Sequence, residues 1–161
     1  MVIKTSSRIP QAPSKPMPEL AEFLAQFRVH FCQNRSFDAL QRYLTGLLTD
    51  HPNKNCDTIA SIVPGTNQQQ LHHLLTTMVW DEDDLNRQRV KAMVGLQTEG
   101  DGCLIFDDTG FAKQGKNSVG VARQYCGTLG KVANSQVTVN CYYAERTIAW
   151  PVATRLYLPK Q

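Results

Sequence analysis

Apolar side chains recur at helical spacing from Pro18 to about Phe31, which predicts a helix with one buried face. A second helix is expected to start at Ser36, a suitable N-cap, and to continue to Leu48. Asp50 then begins a short run of helix-breaking residues. The chain therefore opens with a helical region.

Three further helices are predicted before residue 100. The first spans about 55–63 and stops at the Pro64–Gly65 pair. The second follows Thr66, which begins a capping box. The third follows the acidic run 81–84, because carboxylates suit the free N–H groups at a helix start, and it continues to about Leu96.

After residue 100 the pattern changes from helical to alternating. Strands are predicted at 103–108, about 117–125 and about 136–143, with a further short strand at about 155–158. The unbroken apolar run 104–106 is typical of a strand buried on both faces. Because glycines between the second and third strands suit a hairpin, we expect a three-stranded antiparallel meander. The predicted fold class is α+β.

The composition is that of a globular protein, with 161 residues of which 42% are apolar and 19% charged. No apolar run approaches the ~20 residues of a membrane-spanning helix. Residues 1–17 lack the apolar core of a secretory signal, and their Ser, Pro and Lys content indicates a flexible arm. We expect a cytoplasmic protein without a membrane partner.

Cysteines and histidines suggest no metal site. The five cysteines are odd in number and include no CxxC pair, so free buried thiols are expected. His72 and His73 are adjacent and point in different directions on a helix, which excludes an i,i+4 ligand pair.

Charge is distributed unevenly along the chain. Through Asp108 there are 10 Lys/Arg and 13 Asp/Glu, and after Asp108 there are 7 Lys/Arg and one acid, Glu145. A basic segment directly behind a pair of carboxylates suits a site that holds a polyanion beside a metal. A solvated basic surface would give the same count.

Asp107 and Asp108 follow the apolar run, where a buried sheet would meet solvent. Hard cations such as Mg²⁺ take oxygen ligands, often one or two carboxylates with waters and substrate phosphates. If the strand continues through them, the two side chains face opposite sides, so one of them is expected to bind metal. The alternative is that both acids simply end the strand.

A dense set of motifs surrounds this pair, and its spacing has no gaps over roughly forty residues. These are Asp107-Asp108-Thr109-Gly110-Phe111, Lys113, Gly115-Lys116, Ser118-Val119-Gly120-Val121, Arg123-Gln124-Tyr125, Gly127-Thr128, Gly130-Lys131 and Asn134-x-Gln136. The set resembles the first catalytic block of DDE transposases from bacterial insertion sequences. Shorter matches extend the resemblance to nearly the whole chain, but only to the front part of such an enzyme: Tyr43-Leu44-x-Gly46-Leu47-Leu48, Lys54-Asn55, Trp80-Asp81-Glu82 and Leu156-Tyr157-Leu158-Pro159.

The resemblance implies an RNase H-like fold, opened by the meander, and Mg²⁺-dependent cleavage and transfer of DNA strands. The family places its first catalytic aspartate directly before the threonine. The resemblance therefore assigns the catalytic and metal-binding role to Asp108, with Asp107 as the alternative. Asp107 would then pair with a lysine or accept backbone hydrogen bonds. The implied cofactor is Mg²⁺, or Mn²⁺, and only in a completely assembled site.

DNA, in particular transposon ends, is the implied partner. Lys113, Lys116, Arg123 and Lys131 are the candidates for phosphate contacts, which position a duplex without reading its sequence. Each is also compatible with a solvated charge. Self-association, or association with a full-length transposase, is a further open option.

A complete DDE site needs a second aspartate and a glutamate well downstream, and Glu145 lies too early for either role. We therefore expect a truncated, decayed or split reading frame, with a helical region over 18–100 and an incomplete RNase H-like DDE catalytic domain over 101–161. Such a fragment is expected to be inactive alone. It is also expected to be marginally stable, because its sheet edge is unprotected.

Two functions of different classes remain open. The first is a transposase fragment, ancestrally a Mg²⁺-dependent strand-transfer enzyme. The second is a non-catalytic DNA-binding or inhibitory remnant of a transposase. Only the first requires Asp108, while both require the basic surface. A stand-alone RNase H-like nuclease is a third and weaker reading, because its further carboxylates are absent from the sequence.

Overall fold

The computed structural model describes residues 11–96 and 100–159. Contacts between Cα atoms divide the chain into two compact units, Met1–Leu85 and Asn86–Gln161. Within the described residues the first unit is helical, and the second is built on an antiparallel sheet. The α+β class predicted from the sequence is confirmed. None of the helices in the described ranges combines the length and apolar character needed to cross a membrane.

The described residues form five α-helices and four strands. The helices are α1 (Pro18–Ala25), α2 (Asn34–Leu47), α3 (Cys56–Ile62), α4 (Gln68–Thr76) and α5 (Glu82–Val94). The strands are β1 (Cys103–Ala112), β2 (Ala122–Cys126), β3 (Lys131–Ala144) and β4 (Ala149–Leu156). Short 3₁₀ turns lie at Arg28–His30 and Gly127–Leu129. The first predicted helix is thus shorter than expected, because it ends at Ala25 and a 3₁₀ turn replaces its last part.

The helix starts show which capping predictions hold. Ser36 lies inside α2 and does not cap it, since the helix already begins at Asn34. The expected box at Thr66 is displaced by one residue, because the Oδ1 atom of Asn67 accepts the N–H of Gln70 at 2.9 Å. The acidic run behaves as expected, since the carboxylate of Asp81 accepts the N–H of Asp84 at 2.8 Å.

The core of the helical unit lies where α3 and α4 meet. Its fully buried members are Ala12, Ile59, Ile62, Val63 and Leu71, with Tyr43 and Leu47 of α2 packed against them. Ala12 belongs to the predicted arm, and its N–H donates to the carbonyl oxygen of Ile62 at 2.8 Å. Residues 1–10 of that arm lie outside the described residues.

β3 is the central strand of the sheet. β1 pairs with it along its full length, from Cys103 opposite Ala144 to Ala112 opposite Ser135. The other edge of β3 is shared by β2, opposite 131–135, and by β4, opposite 138–144. The expected meander in chain order is therefore wrong, because β2 does not lie between β1 and β3. A tight turn at 127–130 folds the short β2 onto only the first part of β3, which leaves β1 to pair along the opposite edge.

The sheet exposes apolar side chains where a doubly buried strand was expected. Leu104, Ile105 and Phe106 of β1 are all exposed, and Phe106 retains 70% of its accessible surface. The prediction that this run is buried on both faces is wrong for the described residues. The expected burial of Val94 and Leu96 at the end of α5 is also wrong, since both are more than half exposed.

The five cysteines are free thiols, as predicted. Their expected burial holds only for Cys126, because Cys32 and Cys103 are exposed and the other two are intermediate. Within the described residues, no group of three or more His, Cys, Asp or Glu side chains has the geometry of a metal site.

Candidate active site

Asp107 and Asp108 lie in the middle of β1 rather than at its end. The strand continues to Ala112, four residues beyond its predicted end at Asp108. Asp107 is opposite Asn140 and Asp108 is opposite Val139 in the central strand. Both acids are exposed. Because side chains alternate along a continuous strand, the two carboxylates face opposite sides of the sheet.

The Asp107 side of the sheet carries a hydrogen-bonded polar row. The amide of Asn140 donates to the hydroxyl of Thr109 at 3.0 Å, and the hydroxyl of Thr154 donates to the Oδ1 atom of Asn140 at 3.0 Å. Asn140 is buried, so this row satisfies a polar group that would be costly to leave unpaired. The carboxylate of Asp107 accepts the N–H of Asp108 at 2.9 Å. Acceptance of a backbone hydrogen bond is the role expected for Asp107.

The Asp108 side of the sheet is apolar next to the carboxylate, and one strand farther it carries Arg155 of β4, which is opposite Val139. Residues directly opposite in an antiparallel pair share a face, so Val139 and Cys141 lie on this side with Phe106. The structure thus places Asp108 on an exposed face with apolar neighbours in β1 and β3 and with Arg155 of β4 in the same row. This isolates it from Asp107, and the two acids do not form a shared metal site.

The residues present fit a divalent cation only in part. Asp108 offers the exposed oxygen donor that Mg²⁺ prefers. A two-cation site needs several carboxylates, and the described residues hold no group of three or more His, Cys, Asp or Glu side chains suited to a metal ion. Glu145 follows the end of β3, and its carboxylate accepts the hydroxyl of Tyr143 at 2.8 Å.

A loop that carries two of the predicted DNA contacts follows β1. Lys113 and Lys116 are exposed in it. Asn134 of β3 braces this loop, since its side-chain amide donates to the carbonyl oxygens of Lys113 and Gly115, each at 2.8 Å. Gln136 donates to the carbonyl oxygen of Val119 farther along. The backbone of the loop is therefore fixed by side chains from the central strand.

The other two predicted contacts lie on β2 and β3, and both are exposed. Arg123 is opposite Asn134, which shares its face of β3 with Asn140, so Arg123 lies on the Asp107 side. Lys131 lies on the Asp108 side, eight positions along β3 from Val139, a separation of about 26 Å at the rise of a strand. The four cations do not form one cluster at Asp108.

Sequence reasoning expected Asn134 in the hairpin between the second and third strands, whereas it lies in β3, and the contacts that hold this loop were not predicted. Besides Asn134 and Gln136, Thr128 matters, because its hydroxyl donates to the carbonyl oxygen of Gly110 at 2.6 Å. Gly120 has φ +73°, and an added Cβ would lie 2.9 Å from the carbonyl oxygen of Tyr157. All four belong to the motifs around the acid pair, and short polar residues and glycines in such a block are a signal of backbone bracing.

An exposed strand aspartate followed by a braced basic loop is an arrangement suited to metal-dependent chemistry on a polyanion. Residues 22–161 match the family described as DDE superfamily endonuclease, and the chain belongs to that family.

A curated relative narrows the class further. The chain is 34% identical over 140 residues to the probable transposase for insertion sequence element IS701 of Microchaete diplosiphon. The match covers 87% of this chain and 37% of the relative, so the chain spans little more than a third of that relative's length. No solved structure matches the chain significantly. The predicted resemblance to insertion-sequence DDE transposases is confirmed.

Proposed function

We propose that this chain is the front part of a DDE transposase that cleaves and transfers DNA strands at transposon ends, with Asp108 as its first metal-binding carboxylate. The observation that carries the proposal is the placement of Asp108 on an exposed face in the middle of β1, directly before Thr109 of the family block. Asp107 points to the opposite face and accepts a backbone N–H, which supports a structural role for it.

The proposed cofactor is Mg²⁺ or Mn²⁺, bound by Asp108 in the complete site. Two such cations activate the attacking oxygen and stabilise the leaving oxygen of a phosphodiester when they are bound about 3.5–4 Å apart. The contribution of this chain is one oxygen donor on a rigid strand. The pairing of β1 with β3 fixes the backbone of Asp108 more firmly than a loop would. The carboxylate of Asp108 therefore has a fixed position relative to DNA that the basic residues contact.

The 161 residues do not contain the other carboxylates that this chemistry requires. Glu145 is the only acid after Asp108, and its carboxylate accepts a hydrogen bond from Tyr143. The exposed apolar residues of β1 also support further polypeptide packing against the sheet. We therefore propose that this chain alone does not cleave DNA and that the active protein requires sequence beyond these residues.

The proposed role of Lys113, Lys116, Arg123 and Lys131 is to contact DNA phosphates. All four are exposed, and the loop with the two lysines is held by Asn134. The distance of about 26 Å from Lys131 to the position of Asp108 corresponds to roughly eight base pairs of B-DNA. Lys131 would thus hold a duplex along the Asp108 side of the sheet, whereas Arg123 would contact DNA on the opposite side.

The alternative is a non-catalytic remnant that binds DNA or inhibits a full-length transposase. The presence of a single acid after Asp108, Glu145, favours it for the chain by itself. It requires the same basic residues, and it does not require Asp108.

The test begins with the DNA and transcript that follow the Gln161 codon. A reading frame that encodes an aspartate and a glutamate allows the complete protein to be expressed and assayed for nicking of end-containing DNA with Mg²⁺. We expect Asp108→Asn to abolish nicking, at least 100-fold, since loss of a single well-placed electrostatic group in a catalytic site costs about that factor or more. Asp107→Asn is the matched control and is expected to retain activity.

Equal loss in both variants, or full activity of Asp108→Asn, would overturn the assignment of Asp108. Unrelated sequence after Gln161 would favour the remnant. A purified 161-residue chain that nicks DNA with Mg²⁺ and loses this activity on Asp108→Ala would contradict the proposed inactivity of the chain alone.

A further inference from the structure

The polar row on the side of the sheet opposite Asp108 joins three strands. Its members are Thr109 of β1, Asn140 of β3 and Thr154 of β4. Two hydrogen bonds of 3.0 Å link them, one at each end of the Asn140 amide group. Because Asn140 is only 6% exposed, protein groups rather than bulk water fix the orientation of this amide. The centre of the row is therefore a buried connection between strands.

The backbone ladder becomes irregular next to this row. Thr154 is opposite Asn140, and the register of β3 and β4 shifts just beyond that pair, between Cys141 and Tyr142. A bulge disrupts the ladder locally and bends the strand. The side chain of Asn140 thus supplies a link across the strands close to the point where the backbone pairing is interrupted.

The row reaches β1 directly beside the proposed metal-binding carboxylate. Thr109 follows Asp108 in the strand, and its side chain lies on the opposite face of the sheet. On the face of Asp108, its neighbours Phe106 and Val139 have no side-chain group that can donate or accept a hydrogen bond. A hydrogen bond at the hydroxyl of Thr109 therefore restrains the backbone of Asp108 from behind, without contact to the carboxylate.

We propose that Asn140 and Thr109 are positioning residues for Asp108. The Asn140 amide holds the Thr109 hydroxyl, and this contact fixes the place of β1 at the carboxylate. The inference rests on the proposed function, because it takes Asp108 as the metal-binding residue. Groups that orient a metal ligand without touching the metal typically change metal affinity or activity about 10-fold to 100-fold when they are removed.

A purely stabilising role for the row makes different predictions. A buried asparagine that only satisfies its own hydrogen-bonding groups contributes to the stability of the sheet as a whole. Its loss would leave the turnover and the metal dependence of the folded protein unchanged. A positioning role instead predicts a local change in β1 at Asp108 and a change in turnover.

The first test is hydrogen exchange of backbone amides in the 161-residue chain. Thr109→Val removes the hydroxyl and keeps the shape of the side chain, and Asn140→Leu removes the amide group. Both are expected to speed exchange of the amides within 107–111 that donate to β3, relative to the amides of β2. The expected factor is about 3-fold to 10-fold, as for the loss of one hydrogen bond.

The second test is DNA nicking by the complete protein that a frame past the Gln161 codon encodes. Thr109→Val and Asn140→Leu are expected to lower kcat about 10-fold to 100-fold. They are also expected to raise the Mg²⁺ concentration that gives the half-maximal rate, with KM for DNA unchanged. Circular dichroism melting shows whether each variant is folded, and Thr109→Val decides the test if Asn140→Leu is not.

Two variants separate the hydroxyl of Thr109 from other effects of substitution. Thr109→Ser keeps a hydroxyl at the same position and is expected to restore local exchange and kcat to within about 3-fold of wild type. Thr147→Val makes the same change as Thr109→Val in the exposed turn between β3 and β4. It is the matched control and is expected to behave as wild type in both tests.

Folded Thr109→Val and Asn140→Leu with wild-type kcat and Mg²⁺ dependence, beside an inactive Asp108→Asn, would overturn the inference and leave the proposed function intact. The same conclusion follows from unchanged local exchange, or from a loss in Thr109→Ser equal to that in Thr109→Val. A fully active Asp108→Asn, or unrelated sequence after Gln161, would overturn the proposed catalytic role and this inference with it.

Discussion

At the scale of single residues, the helical unit depends on a glycine where two helices touch. An added Cβ at Gly46 of α2 would lie 2.4 Å from the Cγ2 atom of Ile59 in α3. Ile59 is 1% exposed, and its branched side chain has no space into which it can move. The close approach of α2 and α3 therefore requires glycine at this position.

Gly46→Ala is expected to destabilise the protein by about 1–2 kcal/mol, because overpacking of about 1–3 kcal/mol exceeds the gain of up to about 1 kcal/mol in helix propensity. Urea unfolding followed by far-UV circular dichroism measures the change. Gly115→Ala is the control, since nothing lies within 4 Å of its added Cβ. A stability equal to wild type would show that α2 and α3 do not pack as described.

Tyr43 gives the helical unit a predictable response to alkaline pH. Burial, followed by the nearby Cys56 thiol, raises the pKa of Tyr43 above its ordinary value of 10.0. The folded protein thus favours the neutral phenol. The resulting stability is complete below pH 10 and is lost as the pH rises through the raised pKa.

Tyr43→Phe is expected to remove this dependence. The free energy of unfolding of wild type minus that of the variant should be constant below pH 10. Above pH 10 this quantity should decrease, because only the wild type loses stability as Tyr43 ionises. Urea titrations on both sides of that pH measure the difference. An increase of the wild-type free energy of unfolding relative to that of the variant at alkaline pH would contradict the direction of the pKa shift.

At the scale of elements, α5 and β4 are joined at a β-bulge. The register of β3 and β4 shifts between Cys141 and Tyr142, which are opposite Ala153 and Pro151. Val152 is left unpaired between them, as expected for the extra residue of a bulge. Proline has no N–H to contribute to the ladder, and it is tolerated here because the pairing is irregular at the bulge.

Two side chains of α5 use the carbonyl groups that this bulge leaves available. Asn86 and Arg89 both donate to the carbonyl oxygen of Val152, at 3.0 and 3.1 Å. Arg89 also donates to the carbonyl oxygen of Pro151. Burial lowers the pKa of the Arg89 guanidinium, which nevertheless remains charged.

Arg89→Ala is expected to cost about 1.5 kcal/mol, the lower end for hydrogen bonds that involve a charged group, because this guanidinium is only partly buried. Hydrogen exchange should increase for the amides of β4. Lys91→Ala, on the exposed side of the same helix, is the control. Unchanged hydrogen exchange of the β4 amides in Arg89→Ala would contradict stabilisation of β4 by the hydrogen bonds from α5.

Elements with a local signal could be predicted, and those set by tertiary pairing could not. The 3.6-residue spacing of α4 and the acidic run before α5 are local, and both helices were found close to the expected bounds. The length of β1 was underestimated, because Asp107 and Asp108 resemble a strand end although pairing with β3 carries the strand to Ala112.

In the candidate site, too, local features could be predicted and those set by strand pairing could not. The opposite directions of Asp107 and Asp108 follow from alternation along a strand and needed only the strand to continue. The separation of Arg123 from the Asp108 face was not predictable, because it depends on the register of β2 against β3. Likewise, the bracing amide of Asn134 acts on residues about twenty positions earlier, which no local pattern indicates.

At the scale of the whole molecule, the sheet exposes apolar surface on both faces of β1. Leu104 and Phe106 lie on the Asp108 side, and Ile105 lies on the other. Exposed apolar strands favour association with other chains. Self-association and marginal stability of the isolated chain remain predictions.

Replacement of Leu104 and Phe106 by threonine is expected to reduce self-association without loss of the sheet, because threonine is favoured in strands. Sedimentation velocity over a range of concentrations gives the mass distribution. Val79→Thr removes an exposed apolar side chain of the helical unit and serves as the control. Wild-type chain that is monomeric and melts sharply at high temperature would contradict this prediction.

We propose that this chain binds DNA through exposed basic residues, and the most direct test is duplex affinity as a function of salt. Two to six phosphate contacts predict a slope of log K against log salt between about −2 and −5. Lys113→Gln combined with Lys116→Gln should reduce the steepness of that slope by about 1.8. Absent binding, or an affinity that does not change with salt, would contradict the claim.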